Sequence, residues 1–341
     1  MNTTLQGKSY FKDDPEMLID GQVIQVLRPQ HRTALWSIQK ACNLSCTYCY
    51  GSFSGQAYKD MLGYKGIPLE QARNIIKGLV REGFDAIHIS GGEPLLHYRF
   101  WDLISVIHSY GIRCTVTTNA TILSQQDRLR LSQNHINHLM ISLDTLDSSY
   151  GNKVRERHET VVKNLEWLLN ERVAGRLQTK VGIYCVVSRS NIQEVADLAY
   201  WAVQKGAHPI SLQPIHLPSN HPEYAALTLT EDHLSQLSDL RHILQANALL
   251  QHANPDWFWD AWFGLMKLQP NPAKARPCFA GNQLIYIDSD GKIFRCPAYN
   301  VMMDEGSIVD DVKDFKTQSP QSCDHLSFDC LCIWKLACVG F

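Results

Sequence analysis

Three cysteines lie within eight residues and form the stretch of the sequence best suited to chemistry. Cys42, Cys46 and Cys49 have the spacing CxxxCxxC, and their thiolates are soft ligands that suit iron–sulfur clusters or zinc. A 4Fe–4S cluster usually takes four thiolates, one for each iron. A loop of this length can hold three corners of such a cluster and leave the fourth iron open. The alternative is half of a structural zinc site, although those sites usually contain CxxC pairs.

Six further cysteines lie in the last 64 residues of the chain. Their number predicts a second iron–sulfur site. A disulfide framework is disfavoured, because nothing in the sequence indicates an oxidising compartment. These six residues are Cys278, Cys296, Cys323, Cys330, Cys332 and Cys338.

Alternating strands and helices must position the first cysteine group. Six βα units in a row predict a parallel sheet with helices outside it. The Cys42–Cys49 stretch follows the first strand, and the stretch Gly91-Gly92-Glu93-Pro94 follows the second. The six apolar runs that predict the strands are residues 34–38, 86–90, 114–119, 139–144, 181–187 and 210–215.

The chain divides into four predicted segments. The division follows the point where the alternation of strands and helices stops and the point where the second cysteine group starts. The segments are an N-terminal hairpin segment (1–32), an α/β core (33–218), a helical linker (219–277) and a Cys-rich domain built on a β-hairpin (278–341).

The last two segments carry signals of their own. In the linker we predict one helix from Thr230 to about Ala253, opened by Thr230 as its N-cap. The aromatic run at 257–263 is interpreted as packing against the core, with a substrate groove as the alternative. In the last segment, an Asp-Gly turn between two apolar runs predicts a hairpin over 284–295, which would bring Cys278 and Cys296 together.

Two motifs in this order resemble the radical S-adenosylmethionine (SAM) superfamily. One is CxxxCxxC with Tyr48 before the third cysteine, and the other is Gly91-Gly92-Glu93-Pro94. The resemblance implies a partial (β/α)6 TIM-like barrel as the core. Sites in parallel βα barrels lie at the carboxyl ends of the strands, and both motifs follow predicted strands, so the fold and motif predictions agree.

The resemblance also implies cofactors and residue roles. A 4Fe–4S cluster on Cys42, Cys46 and Cys49 would bind SAM and cleave it reductively to methionine and a 5′-deoxyadenosyl radical, which abstracts hydrogen from the substrate. Glu93 would turn toward the SAM amino group. The residues implied to bind SAM are Tyr48, Gly91, Gly92, Glu93, Pro94, Asn119, Ser142, Asp144 and Arg155.

Arg155 is the residue at which the chain departs from the family. Arg155 or Arg157 is expected to clamp the SAM carboxylate through two hydrogen bonds. The family usually has Arg followed by Gly at this point, whereas Glu156 follows Arg155 here. Arg155 therefore matches the family pattern only in part.

Cys114 and Cys185 are the candidate catalytic residues. Both lie in predicted strands, where a lone cysteine is most often a small buried hydrophobe. The alternative is a thiol that returns a hydrogen atom to a substrate radical, as in radical epimerases.

The C-terminal cysteines resemble the SPASM/twitch extension of radical SAM enzymes. Cys278, Gly291 and Cys296 fit its pattern, and Cys330, Cys332 and Cys338 fit part of the Cys-rich tail. The resemblance implies at least one auxiliary iron–sulfur cluster, with one and two both open, and a tail that is truncated or has a reduced ligand set. We expect this domain to cover the carboxyl side of the barrel, across the substrate from SAM.

The resemblance favours an enzyme that modifies a ribosomally made peptide by crosslinking, epimerisation or backbone excision. The alternative is a sugar or aminocyclitol dehydrogenase or epimerase of antibiotic biosynthesis. A non-enzymatic Cys-rich binding module or electron carrier is a third hypothesis, which the Gly-Gly-Glu-Pro turn and the βα core disfavour. Expected partners are the substrate, a flavodoxin- or ferredoxin-type electron donor and a separate leader-peptide recognition protein, because residues 1–32 are too short to be such a domain.

Charge and hydropathy exclude other classes of partner. The chain has 32 Lys and Arg against 34 Asp and Glu, for a net charge of −2. It therefore lacks the excess of basic residues that would indicate nucleic-acid binding. The sequence lacks an apolar run long enough to span a bilayer and lacks the apolar centre of a signal peptide at its start. The expected location is the cytoplasm.

Overall fold

The computed structural model describes residues 16–19, 22–25, 32–49, 61–133, 135–215, 217, 219–249, 253–254, 256–267 and 280–295. The six C-terminal cysteines, and with them the predictions about an auxiliary cluster, lie outside these ranges.

Ten strands and nine α-helices occupy the described residues. The strands are β1 (Glu16–Ile19), β2 (Gln22–Gln25), β3 (Thr33–Ser37), β4 (Ala86–Ser90), β5 (Arg113–Thr118), β6 (His138–Ser142), β7 (Lys180–Val187), β8 (Ile210–Pro214), β9 (Leu284–Ile287) and β10 (Ile293–Phe294). The helices are α1 (Leu69–Arg81), α2 (Phe100–Ser109), α3 (Gln125–Leu131), α4 (Ser148–Val154), α5 (His158–Val173), α6 (Val195–Gln204), α7 (Tyr224–Leu227), α8 (Leu234–Ala246) and α9 (Asp256–Lys267).

The main sheet is the predicted parallel sheet with a hairpin added at one side. Its order is β10-β9-β3-β4-β5-β6-β7-β8, and each of the pairs from β3 to β8 is parallel. The six strands follow one another in chain order, as expected for successive βα units. The prediction of a partial (β/α)6 barrel is therefore confirmed. The β1–β2 hairpin forms a separate two-stranded sheet.

Side-chain alternation gives the strands an apolar face and a more polar one. Ile87 and Ile89 of β4, with Val116 of β5, belong to the main hydrophobic core together with residues of the surrounding helices. The opposite face of the same strands carries His88 and Thr117, which are hydrogen bonded at 2.8 Å. Since successive residues of a strand point to opposite faces, this alternation turns the apolar side chains toward the helices.

The C-terminal hairpin extends the sheet sideways. β9 pairs in parallel with β3, and β10 returns antiparallel to β9. The β9–β10 turn therefore lies at the carboxyl end of β3, while the base of the hairpin lies at its amino end. There Thr33 N donates to Gln283 O at 2.8 Å and Arg295 Nε donates to Ala280 O at 2.9 Å. The prediction that the Cys-rich domain covers the carboxyl side of the barrel stays a prediction, because most of residues 278–341 lie outside the described ranges.

The linker helix is shorter than predicted. It begins with a single 3-10 turn over Glu231–His233, and α8 then ends at Ala246 instead of Ala253. Ala248 has a φ of 55° and Leu249 N donates back to Leu244 O, a helix stop usually made by glycine. Burial of Leu249 offsets the strain of a non-glycine residue in this conformation. The helix therefore ends here without the glycine that would mark its end in the sequence.

Helix α9 contains the aromatic run and packs three of its rings inward. Phe258, Trp259 and Trp262 are fully buried, and the rings of Trp259 and Trp262 stack with centroids 5.6 Å apart. Arg241 of α8 holds the helix through Asp260 at 2.7 Å. These contacts favour the packing interpretation over a substrate groove. None of the helices in the described part of the chain is long and apolar enough to cross a membrane.

The far edge of the sheet is covered by a side chain. Asn254 Oδ1 accepts from Leu212 N at 2.9 Å and Asn254 Nδ2 donates to Leu212 O at 2.7 Å. The amide thereby pairs with β8 as a neighbouring strand would. Asn254 is 1% exposed, so water cannot replace these bonds.

The Asn254→Leu substitution is expected to destabilise the protein by about 1–3 kcal/mol, because both backbone groups of Leu212 lose their buried partner. Urea denaturation measures the change. The control is Asn170→Leu, the same substitution at an exposed position of α5, which should change stability by no more than about 0.5 kcal/mol. Equal stability of the two variants would contradict the edge-covering role.

Candidate active site

The Cys loop (residues 42–49) follows β3 directly. Cys42 is buried, and Cys46 and Cys49 are partly exposed. Leu44 N donates to Cys42 Sγ at 3.4 Å, and Cys49 N donates to Cys46 O at 3.2 Å. The loop thus turns back on itself and keeps its three thiols at the carboxyl end of the barrel.

The Gly-Gly-Glu-Pro turn (residues 91–94) follows β4 and touches the chain that enters the Cys loop. Gly92 N donates to Gln39 O at 2.6 Å and Glu93 N donates to Ala41 O at 2.8 Å. A Cβ atom on Gly91 would lie 2.5 Å from Gln39 O, and one on Gly92 would lie 2.2 Å from Ala41 O. Only glycine allows the two backbones to approach this closely.

Glu93 joins the same turn to the end of β5. Its carboxylate accepts from Thr118 Oγ1 at 2.6 Å, from Asn119 N at 2.8 Å and from Leu95 N at 3.1 Å. Full burial raises the pKa of Glu93 to about 7, against the lowering effect of these donors. The resemblance directs this side chain to the SAM amino group, whereas its contacts here are with protein donors. Pro94 starts the short 3-10 turn that follows.

Asn119 connects the end of β5 to the Cys loop. Its Nδ2 donates to Asn43 Oδ1 at 3.1 Å and lies 3.8 Å from Cys42 Sγ. Its Oδ1 accepts from Thr121 N at 2.9 Å. Sequence reasoning missed Asn43 and Thr118 as members of this network, although each directly precedes or follows a residue that it singled out.

Asp144 gathers three donors behind the Cys loop. Its carboxylate accepts from Tyr48 OH through a short hydrogen bond, from Arg155 Nε at 2.5 Å and from Val186 N at 2.7 Å. The guanidinium of Arg155 lies 5.3 Å from the centroid of the Tyr48 ring. Asp144 is 3% exposed, so its charge requires these partners. Arg155, expected to clamp the SAM carboxylate, is held here by a carboxylate of the protein.

The backbone after Arg155 explains the departure from the family pattern. Glu156 has a φ of 63° and Arg157 a φ of 51°, values that glycine adopts without strain. Glu156 therefore adopts a left-handed conformation in which glycine would be unstrained. Arg155, the residue before it, reaches Asp144.

The thiols of the Cys loop match the donor set of an iron–sulfur cluster. Burial raises the pKa of Cys42 to about 12 and that of Cys46 to about 11, and a bound metal would act in the opposite direction, because it deprotonates a coordinating thiol. Nowhere in the described ranges do three His, Cys, Asp or Glu side chains converge on one point. The three thiolates of the loop would hold three irons of a cubane, which takes one thiolate per iron.

Of the remaining predicted residues, Ser142 and Cys185 lie near the carboxyl ends of β6 and β7, whereas Cys114 lies near the amino end of β5. Ser142 ends β6 and is buried. Cys114 and Cys185 are both 0% exposed and belong to the main hydrophobic core, where burial raises the pKa of Cys114 to about 12. Cys185 Sγ lies 3.8 Å from Asp144 O. The structure thus places both candidate catalytic thiols in the environment of a buried hydrophobe.

Comparison with known proteins agrees with this geometry. The family model described as the Radical SAM superfamily matches residues 36–202, which include the Cys loop and the Gly-Gly-Glu-Pro turn. Mycofactocin maturase MftC of Mycolicibacterium smegmatis is 24% identical over 292 residues, which are 80% of this chain and 67% of that protein.

Two solved structures share the fold. SuiB of Streptococcus suis, bound to precursor peptide SuiA, has a TM-score of 0.61 at 17% identity over 89% of this chain and 64% of SuiB. Native anSMEcpe with bound AdoMet and Cp18Cys peptide has a TM-score of 0.59 at 17% identity over 83% of this chain and 77% of that one. The chain therefore spans about two thirds of the length of MftC and of SuiB.

The positive φ of Glu156 predicts how substitutions at this position change the stability of the protein. Glu156→Gly should stay within about 1 kcal/mol of the wild type, because relief of strain offsets the greater freedom of the unfolded chain. Glu156→Val should lose on the order of 1–3 kcal/mol, because a β-branched residue tolerates this conformation poorly. Urea denaturation is the measurement, and Glu70→Val at an exposed position of α1 is the matched control. A Glu156→Val variant as stable as this control would rule out the strain.

Proposed function

Because this chain belongs to the radical SAM superfamily, we propose that it binds a 4Fe–4S cluster and SAM at the Cys loop and modifies a ribosomally made peptide. Once bound, the cluster and SAM supply a 5′-deoxyadenosyl radical that abstracts hydrogen from the substrate. The observation that carries the proposal is the fit of the Cys loop against the Gly-Gly-Glu-Pro turn, through Gly92 N–Gln39 O and Glu93 N–Ala41 O.

The thiols have the first role. Cys42, Cys46 and Cys49 would each hold one iron, which leaves the fourth iron for SAM. Asn119 lies beside Cys42 Sγ and would orient that ligand. The hydrogen bond from Asn119 Nδ2 to Asn43 Oδ1 fixes the amide, so that its nitrogen rather than its oxygen faces Cys42 Sγ.

Arg155 and Asp144 have the second role. Their ion pair keeps the guanidinium of Arg155 behind the loop. There it would be within reach of a carboxylate ligand such as the methionyl end of SAM. The Arg155 side chain is partly exposed whereas that of Asp144 is not, and the guanidinium also contacts the thiol of Cys46. A bound carboxylate would share Arg155 with Asp144, which stays anchored by Val186 N.

The peptide substrate is supported by the relatives. MftC is named a maturase, and SuiB and anSMEcpe were solved with peptides. These proteins favour a peptide over a sugar or an aminocyclitol. Crosslinking, epimerisation and backbone excision are the candidate outcomes.

The reaction needs partners beyond the substrate. Reductive cleavage of SAM consumes an electron, for which a flavodoxin- or ferredoxin-type donor is proposed. A separate leader-peptide recognition protein is proposed as well. Reduced thiols of this kind persist in the cytoplasm, where we propose that the enzyme acts.

Single substitutions of Cys42, Cys46 and Cys49 by Ala test the cluster assignment. Each should abolish the formation of 5′-deoxyadenosine from SAM under anaerobic reducing conditions, because one iron loses its thiolate. Chromatography coupled to mass spectrometry detects the product. The matched control is Cys114→Ala, a buried thiol outside the loop, which should keep this activity. Wild-type SAM cleavage by any one of the three loop variants would sink the assignment.

Iron content tests the auxiliary cluster independently. Anaerobically reconstituted protein should hold about eight irons with one auxiliary cubane and about twelve with two. The triple variant lacking Cys42, Cys46 and Cys49 should hold about four irons fewer than the wild type and remain brown. A colourless triple variant would mean that the C-terminal cysteines bind no cluster.

Anaerobic turnover with candidate substrates tests the substrate class. Peptides encoded beside the gene and a panel of amino sugars are each incubated with SAM and reductant. Mass spectrometry in deuterated water detects both hydrogen loss from a crosslink and deuterium uptake on epimerisation. Modification of a sugar alone would replace the peptide proposal with its small-molecule alternative.

A further inference from the structure

The β9–β10 turn is tied to the chain that enters the Cys loop. Asp290 Oδ2 accepts from Lys40 Nζ at 2.5 Å, and Asp290 Oδ1 accepts from Tyr64 OH at 2.6 Å. Tyr64 OH also lies 2.7 Å from Ser289 O, and Lys40 Nζ lies 5.0 Å from the centroid of the Tyr64 ring. Lys40, Tyr64 and Asp290 thus form one closed set of contacts, called the latch below.

The turn presents Asp290 in a fixed position. Asp288 Oδ1 accepts from Asp290 N at 3.0 Å and from Lys292 N at 2.8 Å. Gly291 has a φ of 81° and lies so close to α1 that a Cβ atom would be 3.0 Å from Gln71 Nε2. A turn held by its own side chain and packed on a helix can hold Lys40 in one place.

The latch also holds residues 39–41, the segment that leads into the Cys loop and contacts the Gly-Gly-Glu-Pro turn. Lys40 lies between Gln39 and Ala41, whose carbonyl oxygens accept from Gly92 N and Glu93 N. Gln39 Nε2 donates to Tyr64 O at 3.1 Å, and Gln39 Oε1 accepts from Ala41 N at 3.1 Å. Tyr64 therefore holds the segment through Gln39 as well as through Lys40. Cys42 follows two residues after Lys40.

The exposure of the latch indicates that its role is not stability. The Lys40 side chain is 32% exposed and that of Asp290 is 46% exposed, and ion pairs this exposed contribute little to the free energy of unfolding. Its contacts instead constrain geometry, because polar groups from two separate parts of the chain meet at the carboxylate of a third. Burial and the bond to Asp290 raise the pKa of Tyr64 to about 12, so the hydroxyl stays a donor.

We propose that Asp290 is a positioning residue which, through Lys40 and Tyr64, fixes the Gln39–Cys42 segment in the conformation that SAM binding requires. This inference rests on the proposed function. It assigns to the C-terminal hairpin a role at the SAM site that needs no contact between the hairpin and SAM.

The test compares Asp290→Asn with the wild type as anaerobically reconstituted holoenzymes, with SAM as the probe. We expect the iron content and the urea midpoint to be unchanged, and SAM to bind about tenfold more weakly, as is typical when an outer partner of a metal site is lost. The change that SAM causes in the electron paramagnetic resonance spectrum of the reduced cluster should also shrink. The control is Glu166→Gln, which breaks the exposed Lys205–Glu166 pair (3.0 Å) on the helices and should alter none of these.

Two further variants separate positioning from folding. Asp290→Glu keeps the carboxylate and should restore most of the SAM affinity. Lys40→Met combined with Asp290→Asn should bind SAM no more weakly than either single variant, because both act through one contact.

Three outcomes would overturn the proposal. Wild-type SAM affinity and spectra in both Asp290→Asn and Lys40→Met would exclude any role at the site. A urea midpoint that falls together with SAM affinity would assign the latch to stability alone. Wild-type protein that binds no SAM would overturn the proposed function first, and this failure is distinguishable because it appears without any substitution.

Discussion

The close approach of two backbones, made possible by the missing side chains of Gly91 and Gly92, is the constraint on which the site depends. Parallel pairing of β3 and β4 brings the two following loops to the same edge of the sheet, but it does not bring them into contact. Contact requires Gln39 O and Ala41 O to occupy space that a Cβ atom would otherwise fill. The Cys loop and the residues around Glu93 therefore form one unit rather than two neighbouring loops.

The polar groups behind this unit are buried, and their mutual satisfaction makes it rigid. The carboxylates of Glu93 and Asp144 are both less than 4% exposed, and each accepts hydrogen bonds from three donors. Those of Glu93 come from the end of β5 and from its own turn, and those of Asp144 come from three separate parts of the chain. Such networks lose far more when one member is removed than any single hydrogen bond contributes. The site is thus held from the side of the protein core, while the partly exposed Cys46, Cys49 and Arg155 form its accessible side.

Most of the core was predictable from the sequence because local signals and topology agreed. Six apolar runs, each about as long as a strand, alternate with stretches of helical periodicity and so predict six parallel strands. Each of the two motifs follows one of these strands. The partners of Asp144 were not predictable, because several polar residues reach the same edge and only packing decides which of them pair. The stop of α8 was missed because Ala248 adopts a conformation for which sequence patterns expect glycine or asparagine.

The pairing of the hairpin with β3 was not predicted, for a different reason, and it has a functional consequence. The sequence of residues 284–295 does not indicate that β9 will pair with β3, because a hairpin sequence specifies only the register of its own two strands. Once paired in parallel, four residues of β9 span about 13 Å along the barrel wall. The turn then meets Lys40 at the end that carries the Cys loop, while Ala280 and Arg295 lie at the other end. A single short hairpin therefore contacts both ends of the barrel, so that residues 280–295 are attached to the core beside the strand that leads into the Cys loop.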